Sequence, residues 1–214
     1  MRRGAKRAVY ERSRVRAILD AGLVAHVGVI TDDGPVVLPM AYGVRGHADD
    51  AELVIHGALA NAMMNAGRSL DICVTVTIVD GLVVARTPFH NSMNYRSVVV
   101  RGVATAVHDA DEKLAALKVV NDHVAAIWDT ARTPSADDVK KTLVLTVPLN
   151  EASAKVRTGD PVDEDIDMDG PHWAGVVPLT SVWGAPRTSS DLRTEREPPQ
   201  AVTSLAGRDA HEVI

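Results

Sequence analysis

The stretch Ser92-Met93-Asn94-Tyr95-Arg96-Ser97 brings hydroxyls, an amide and a guanidinium close together. That mixture suits a phosphate or a sugar-alcohol chain. Neutral donors position such a group, and an arginine binds paired oxygens. On spacing alone, a hydrated loop whose polar side chains cap turns is the commoner outcome. His56-Gly57-Ala58 lies where an apolar run stops and a helical pattern begins. Free N–H groups at a helix start attract anions, and Gly57 lets a ligand approach the backbone. His56 could donate to a ligand or move a proton; a histidine bonded to its neighbours for structural reasons is the more frequent case.

Pro39-Met40-Ala41-Tyr42 interrupts another apolar run. Proline keeps to strand edges and bulges. Free main-chain groups there could read the rim of a flat heterocycle, or the segment is simply an edge strand. Lys155 and Arg157 follow the last clear apolar run. For Arg157 a solvated charge is the preferred reading. Trp173 is isolated in a chain with only 3% aromatic residues. It either stacks on a ring or anchors the C-terminal segment.

Other chemistries find little footing. Cys73, the single cysteine, is centred in an apolar run and reads as an inert core residue. The eight histidines are scattered without His-x-x-x-His spacing, so no metal site is expected. There is no Gly-x-Ser-x-Gly elbow, Walker loop or Gly-x-Gly-x-x-Gly fingerprint.

These residues need elements to hold them. Helical spacing of Val15, Ile18 and Leu19 predicts a helix over about 8–21, with Gly22 at its C-cap. Strands are expected at Leu23–Thr31, Val36–Val44, Leu53–His56 and Ser97–Val107, and last at Leu143–Leu149. Ile72–Val79 and Leu82–Arg86 flank Asp80-Gly81, which reads as a hairpin turn. Ala58–Arg68 carries a short amphipathic pattern. Asp109 with Glu112 predicts a capped helix that buries Leu114, Leu117, Val120, Val124 and Ile127. A further short helix fits Ser135–Lys141. Six or seven strands joined mostly by turns argue for an antiparallel sheet, and several are apolar on both faces. A closed barrel with outer helices meets that need.

Residues 1–180 read as one domain, within which 160–169 is acidic and Trp173–Leu179 could return to the body. Residues 181–214 read as a polar, poorly ordered tail. The net charge of -5 gives no sign of a nucleic-acid or membrane-surface partner. The basic start lacks a following apolar region, and no run is long enough to span a bilayer. With one cysteine, a reducing, cytoplasmic setting is the simplest expectation.

Taken together, several segments resemble a known family. They are His56-Gly57-Ala58, the strand Asp71–Thr77, the run from Phe89 through Tyr95-Arg96-Ser97 to Gly102, and Lys155-Val156-Arg157-Thr158-Gly159. They look like the Nim-type, nitroimidazole-resistance-like branch of the pyridoxamine 5′-phosphate oxidase-like split barrels, over roughly residues 8–180. The resemblance implies a mainly β fold with flanking helices, an antiparallel six-stranded split β-barrel. It implies a homodimer with FMN in clefts between the subunits. Pro39, Met40, Ala41 and Tyr42 would meet the ring edge. His56, Gly57 and Ala58 would border the flavin, with His56 the catalytic candidate. Asn94, Tyr95, Arg96, Ser97 and Lys155 would supply polar contacts at the cleft, and Ser92 and Trp173 are candidates beside them on their residue types alone. A cation such as Lys155 beside the pyrimidine carbonyl would stabilise the anionic reduced ring. The implied activity is reduction of a small electrophile, such as a nitroaromatic or quinone. Relatives bind FMN, a deazaflavin or haem, so a non-catalytic flavin- or haem-binding module is the other reading. The arginine- and histidine-rich C-terminal substrate motif of the oxidases proper is absent around Arg208-Asp209-Ala210-His211, which argues against vitamin B6 synthesis.

Overall fold

The computed structural model describes residues 8, 9, 11–31, 33–47, 50–58 and 70–212. The helix expected over Ala58–Arg68 lies almost wholly outside the described residues. The described chain runs β1 (Ala8–Val9), α1 (Arg12–Ala21), β2 (Ala25–Thr31), β3 (Gly34–Met40), β4 (Tyr42–Arg45) and β5 (Glu52–Ala58). It continues through β6 (Leu70–Val84), β7 (Ser92–Val107), α2 (Ala110–Asn121), α3 (Ala136–Lys141) and β8 (Thr142–Pro148). β9 (Ala152–Arg157), β10 (Gly175–Pro178) and α4 (Gln200–Thr203) complete it.

Every strand pairing is antiparallel, in the order β3-β2-β6-β7-β8-β5-β4, with β9 and β10 added beside β7 and β6. The long β7 bends between two sheets. Its first half pairs with β9 and its last turns pair with β8. The two ends of the path, β3 and β4, are consecutive in sequence and separated only by Ala41. This is the split barrel. It carries ten strands rather than six: seven lie on this path, β9 and β10 pair with β7 and β6 beside it, and β1 pairs with β9.

Two cores hold it together. Val15, Ile18 and Leu19 of α1 pack into the barrel interior with Val27, Val74, Val98 and Leu145. A second cluster, Val54, Leu117, Val120 and Val144, lies under α2. Burying each large aliphatic side chain contributes roughly 1.5–3 kcal/mol. Asp109 caps α2 by accepting from the Glu112 N–H at 2.9 Å, while the Glu112 carboxylate meets Arg45 at 3.1 Å. α2 ends at Asn121, so Leu114, Val124 and Ile127 are only half-buried. Ser135 and Asp138 form a full capping box on α3.

Three expectations need correction. Asp80-Gly81 is not a turn: β6 runs straight through it, with a register shift between Val79 and Gly81. A Cβ on Gly81 would sit 2.8 Å from the Val177 carbonyl, so this glycine admits β10 beside the bulge. The chain reverses later, where the Ala85 N–H donates to Asn91 Oδ1 at 2.8 Å. Cys73 is exposed rather than in the core, because odd-numbered residues in this half of β6 face outward. Arg157 is buried, not solvated. Gly22 does end α1, but with an extended φ of -80°. Its missing side chain matters because a Cβ would lie 2.2 Å from Val76.

Residues 181–212 form a turn-rich segment. Val182 bridges Asp209, and His211 Nδ1 lies 2.9 Å from the Ala21 carbonyl at the end of α1. Among the described residues no helix is long and apolar enough to cross a membrane.

Candidate functional site

Strand alternation sends one set of side chains outward across β3, β2, β6, β7 and β9. Register then aligns them into rows. Pro39 stands opposite His26, His26 opposite Thr75, Thr75 opposite Val99, and Val99 opposite Ser153. In the next row, Thr77 faces Ser97 and Ser97 faces Lys155. Hydroxyls, an imidazole and an ammonium thus share one sheet face. Ser97 Oγ donates to the Lys155 carbonyl at 3.5 Å, and Lys155 Nζ sits 5.9 Å from the centre of the Tyr95 ring. That cation–π contact steadies the lysine without neutralising it.

The expected site residues divide. Pro39, Ala41, Tyr95, Ser97 and Lys155 belong to this outer face. Met40 is half-buried against the core. Tyr42 is fully buried, with its hydroxyl against the Leu19 and Gly22 carbonyls, and burial raises its pKa. Asn94 is buried too: its amide donates to the Gly159 carbonyl at 3.2 Å, and its oxygen accepts from Arg157. Arg157 also donates to the Gly159 and Asp160 carbonyls at 2.8 and 3.0 Å. Arg96 is held by Asp80 through contacts of 2.8–3.2 Å. Ser92 begins β7 opposite Val83. Trp173 is 65% exposed, and its ring lies against Gly175.

His56, Gly57 and Ala58 sit on β5, paired with β8. His56 stands opposite Val144, which in turn faces Val107. On its other side β5 pairs with β4, where Tyr42 stands opposite Ile55, so His56 neighbours Ala41. Burial lowers the His56 pKa, which keeps its imidazole neutral at neutral pH.

Sequence reasoning missed His26, Thr75 and Thr77. Their signal was the alternation of polar with apolar residues along β2 and β6. A groove continues the same face beyond Cys73, which stands opposite Arg101 on β7. Among the described residues no cluster of three or more His, Cys, Asp or Glu is placed to hold a metal ion.

The chain is similar to the flavocytochrome Anf3 from Azotobacter vinelandii, at 32% identity over 97% of this chain and 96% of that one, with a TM-score of 0.88. It is similar to the FAD and haem binding protein from Mycobacterium smegmatis, at 31% identity over 95% and 98%, with a TM-score of 0.86. A 5-nitroimidazole antibiotic resistance protein from Bacteroides thetaiotaomicron shares the fold, at 23% identity over 70% and 86%, with a TM-score of 0.55. No curated protein matches the sequence. The family model described as pyridoxamine 5′-phosphate oxidase matches residues 11–156. The chain therefore belongs to the pyridoxamine 5′-phosphate oxidase-like family of split barrels.

Proposed function

We propose that this protein is a flavin-dependent oxidoreductase that works as a homodimer and holds its cofactor against the outer face of the sheet. The carrying observation is the Thr77–Ser97–Lys155 row, with His26 and Thr75 beside it. Hydroxyl donors and an ammonium with no carboxylate partner among the described residues fit the ribityl phosphate of FMN, the smallest flavin nucleotide. The two relatives that span nearly the whole chain are named as a flavocytochrome and an FAD and haem binding protein, which supports the reading.

A bound flavin supplies hydride and single-electron transfer. The chain's own residues would do the rest. Lys155, steadied over Tyr95, offers fixed positive charge against which developing negative charge is stabilised. Ser97, Thr75 and Thr77 orient the polyol. His56, neutral through burial, would accept or pass a proton. His56 adjoins Ala41 at the β3–β4 junction, beside the Pro39–His26 end of the face. The acceptor is a small electrophile such as a nitroaromatic or quinone, and the reductant a nicotinamide nucleotide.

The test is anaerobic reduction of FMN-loaded protein by NADH or NADPH, followed by addition of acceptor. Bleaching and then reoxidation with turnover is expected. His56→Ala should lose turnover while keeping its flavin. Absence of reduction by either nicotinamide and of turnover across acceptors would remove the enzyme reading, leaving a non-catalytic flavin module. A second reading adds haem to the flavin, because both full-length relatives are named for it.

A further inference from the structure

A cavity of about 400 Å³ lies apart from the Ser97–Lys155 row, and none of that row's residues lines it. Its volume is within the range of about 300–1,000 Å³ typical of small-molecule sites. Its walls are the second half of α1, the turn that follows α2, and the C-terminal segment. The C-terminal wall lies beyond residues 11–156, the part of the chain that the family model matches. Backbone bonds build that wall. The Trp183 N–H donates to the Arg208 carbonyl at 3.0 Å, the Gly207 N–H to the Trp183 carbonyl at 2.8 Å, and the Ala210 N–H to the Ser181 carbonyl at 2.8 Å. Trp183 and Leu205 are thereby set beside Arg208, Asp209 and Glu212 around one space.

Two of the carboxylates in the other walls are already matched. Asp20 is held by Arg16 at 2.7 and 2.8 Å, and Asp122 by Lys118 at 2.9 Å. Other polar groups keep capacity to spare. Arg208 Nη2 lies 3.7 Å from the Glu212 carboxylate, too far for a hydrogen bond, and its guanidinium donates to no other group among the described residues. Asp209 takes the His211 N–H on one oxygen at 2.8 Å, which leaves the other oxygen to accept. His123 contributes a third capacity. A carbonyl only accepts, so the contact with Gly22 fixes the ring proton on Nε2. Burial lowers the pKa of this ring, so it is neutral and its Nδ1 is a bare acceptor. Nδ1 has no partner among the described residues, and no buried side-chain nitrogen or oxygen there is left unpaired. It therefore opens onto accessible space, and the cavity is the space that His123 lines.

We infer that this cavity binds a zwitterionic amino acid whose aromatic side chain carries an O–H or N–H donor. Arg208 forks onto the carboxylate. Glu212 and the second oxygen of Asp209 take the ammonium. Trp183 and Leu205 cover the ring, and His123 Nδ1 accepts from the side-chain donor. Both signs of charge are needed. A bare anion would meet Asp209 and Glu212, and a bare cation would meet Arg208. The inference does not rest on the flavin reading.

The test is titration calorimetry of the purified chain with L-tyrosine and three analogues. Hydroxyphenylpropionate lacks the ammonium, tyramine lacks the carboxylate, and L-phenylalanine lacks the hydroxyl. L-Tyrosine should bind with a Kd of about 1 mM or below. Loss of either charge should weaken binding about tenfold or more, and loss of the hydroxyl about fivefold. Arg208→Gln should weaken L-tyrosine about tenfold or more and leave tyramine within about twofold. Because that guanidinium hydrogen-bonds nothing in the described fold, the variant's Tm should stay within about 2 °C of the wild type, which separates a lost site from a lost fold. No binding of L-tyrosine, L-phenylalanine or L-tryptophan at about 1 mM would overturn the site. So would unchanged L-tyrosine affinity in Arg208→Gln. Equal affinity for L-tyrosine and hydroxyphenylpropionate would make the cavity a plain anion site and overturn the zwitterion.

Discussion

Asp80 holds Arg96 by three contacts of 2.8–3.2 Å across the β6–β7 pair, at the bulge before Gly81. The relationship explains two things at once. The Asp-Gly pair that resembles a hairpin turn is an anchored bulge, and the arginine that resembles a phosphate ligand is already occupied. Asp80→Asn should therefore lower stability by about 1 kcal/mol, the scale of a partly exposed ion pair, or about 2–4 °C in Tm. Calorimetry checks this. Flavin affinity should be unchanged; a large loss of affinity would return Arg96 to the site.

The end of α1 is tied down by the Tyr42 hydroxyl and by two imidazoles, His123 and, on the Ala21 carbonyl, His211. Tyr42 can give its single proton to the Leu19 carbonyl, while His123 Nε2 reaches the Gly22 carbonyl at 2.7 Å. Tyr42→Phe leaves a buried carbonyl without its donor and should cost about 1–3 kcal/mol in urea unfolding. Unchanged stability would mean that the hydroxyl is dispensable there.

His123 also sets a pH dependence. Its ring lies against Tyr42 at 4.4 Å between centroids, and burial lowers its pKa, partly offset by the Gly22 hydrogen bond and Asp20. A lowered folded-state pKa means that the unfolded chain takes the proton more readily. The stability contributed is therefore present above the unfolded value of about 6.5 and is lost as pH falls below it. Tm should decline between about pH 7 and 5.5. His123→Gln, which keeps a donor for Gly22, should flatten that decline. His56, shifted the same way by burial, should account for part of what remains.

Assembly offers a separate check. Light scattering should give twice the chain mass of 22.8 kDa. If the cleft is shared, dilution that separates the chains should also release flavin. A monomer that binds flavin tightly would contradict the shared cleft.

Much of the scaffold was legible before the fold was known. Asp109 and Ser135 mark helix starts because short polar side chains must satisfy backbone donors there. Gly22 marked a helix end, though for lack of space beside Val76 rather than for a left-handed turn. What periodicity hid was which face a strand presents. In Ile72–Val79 the run is apolar enough to mask its alternation, so Cys73 read as core, and Thr75 and Thr77 went unnoticed. Arg157 read as solvated because its partner Asn94 lies 63 residues away, a distance no local pattern spans. The same limit applies to the site. Asn94, Arg96 and Tyr42 have the right chemistry for a ligand, but each is used to hold the fold. Ser97 and Lys155 keep their polar groups on the outer face.

The most direct measurement is the absorption spectrum of the protein as purified, before any cofactor is added. The account predicts two flavin bands, in the near ultraviolet and the blue, carried by a chromophore released on denaturation; a sharp Soret band beside them would add the haem. A colourless protein that also refuses added flavin would contradict it.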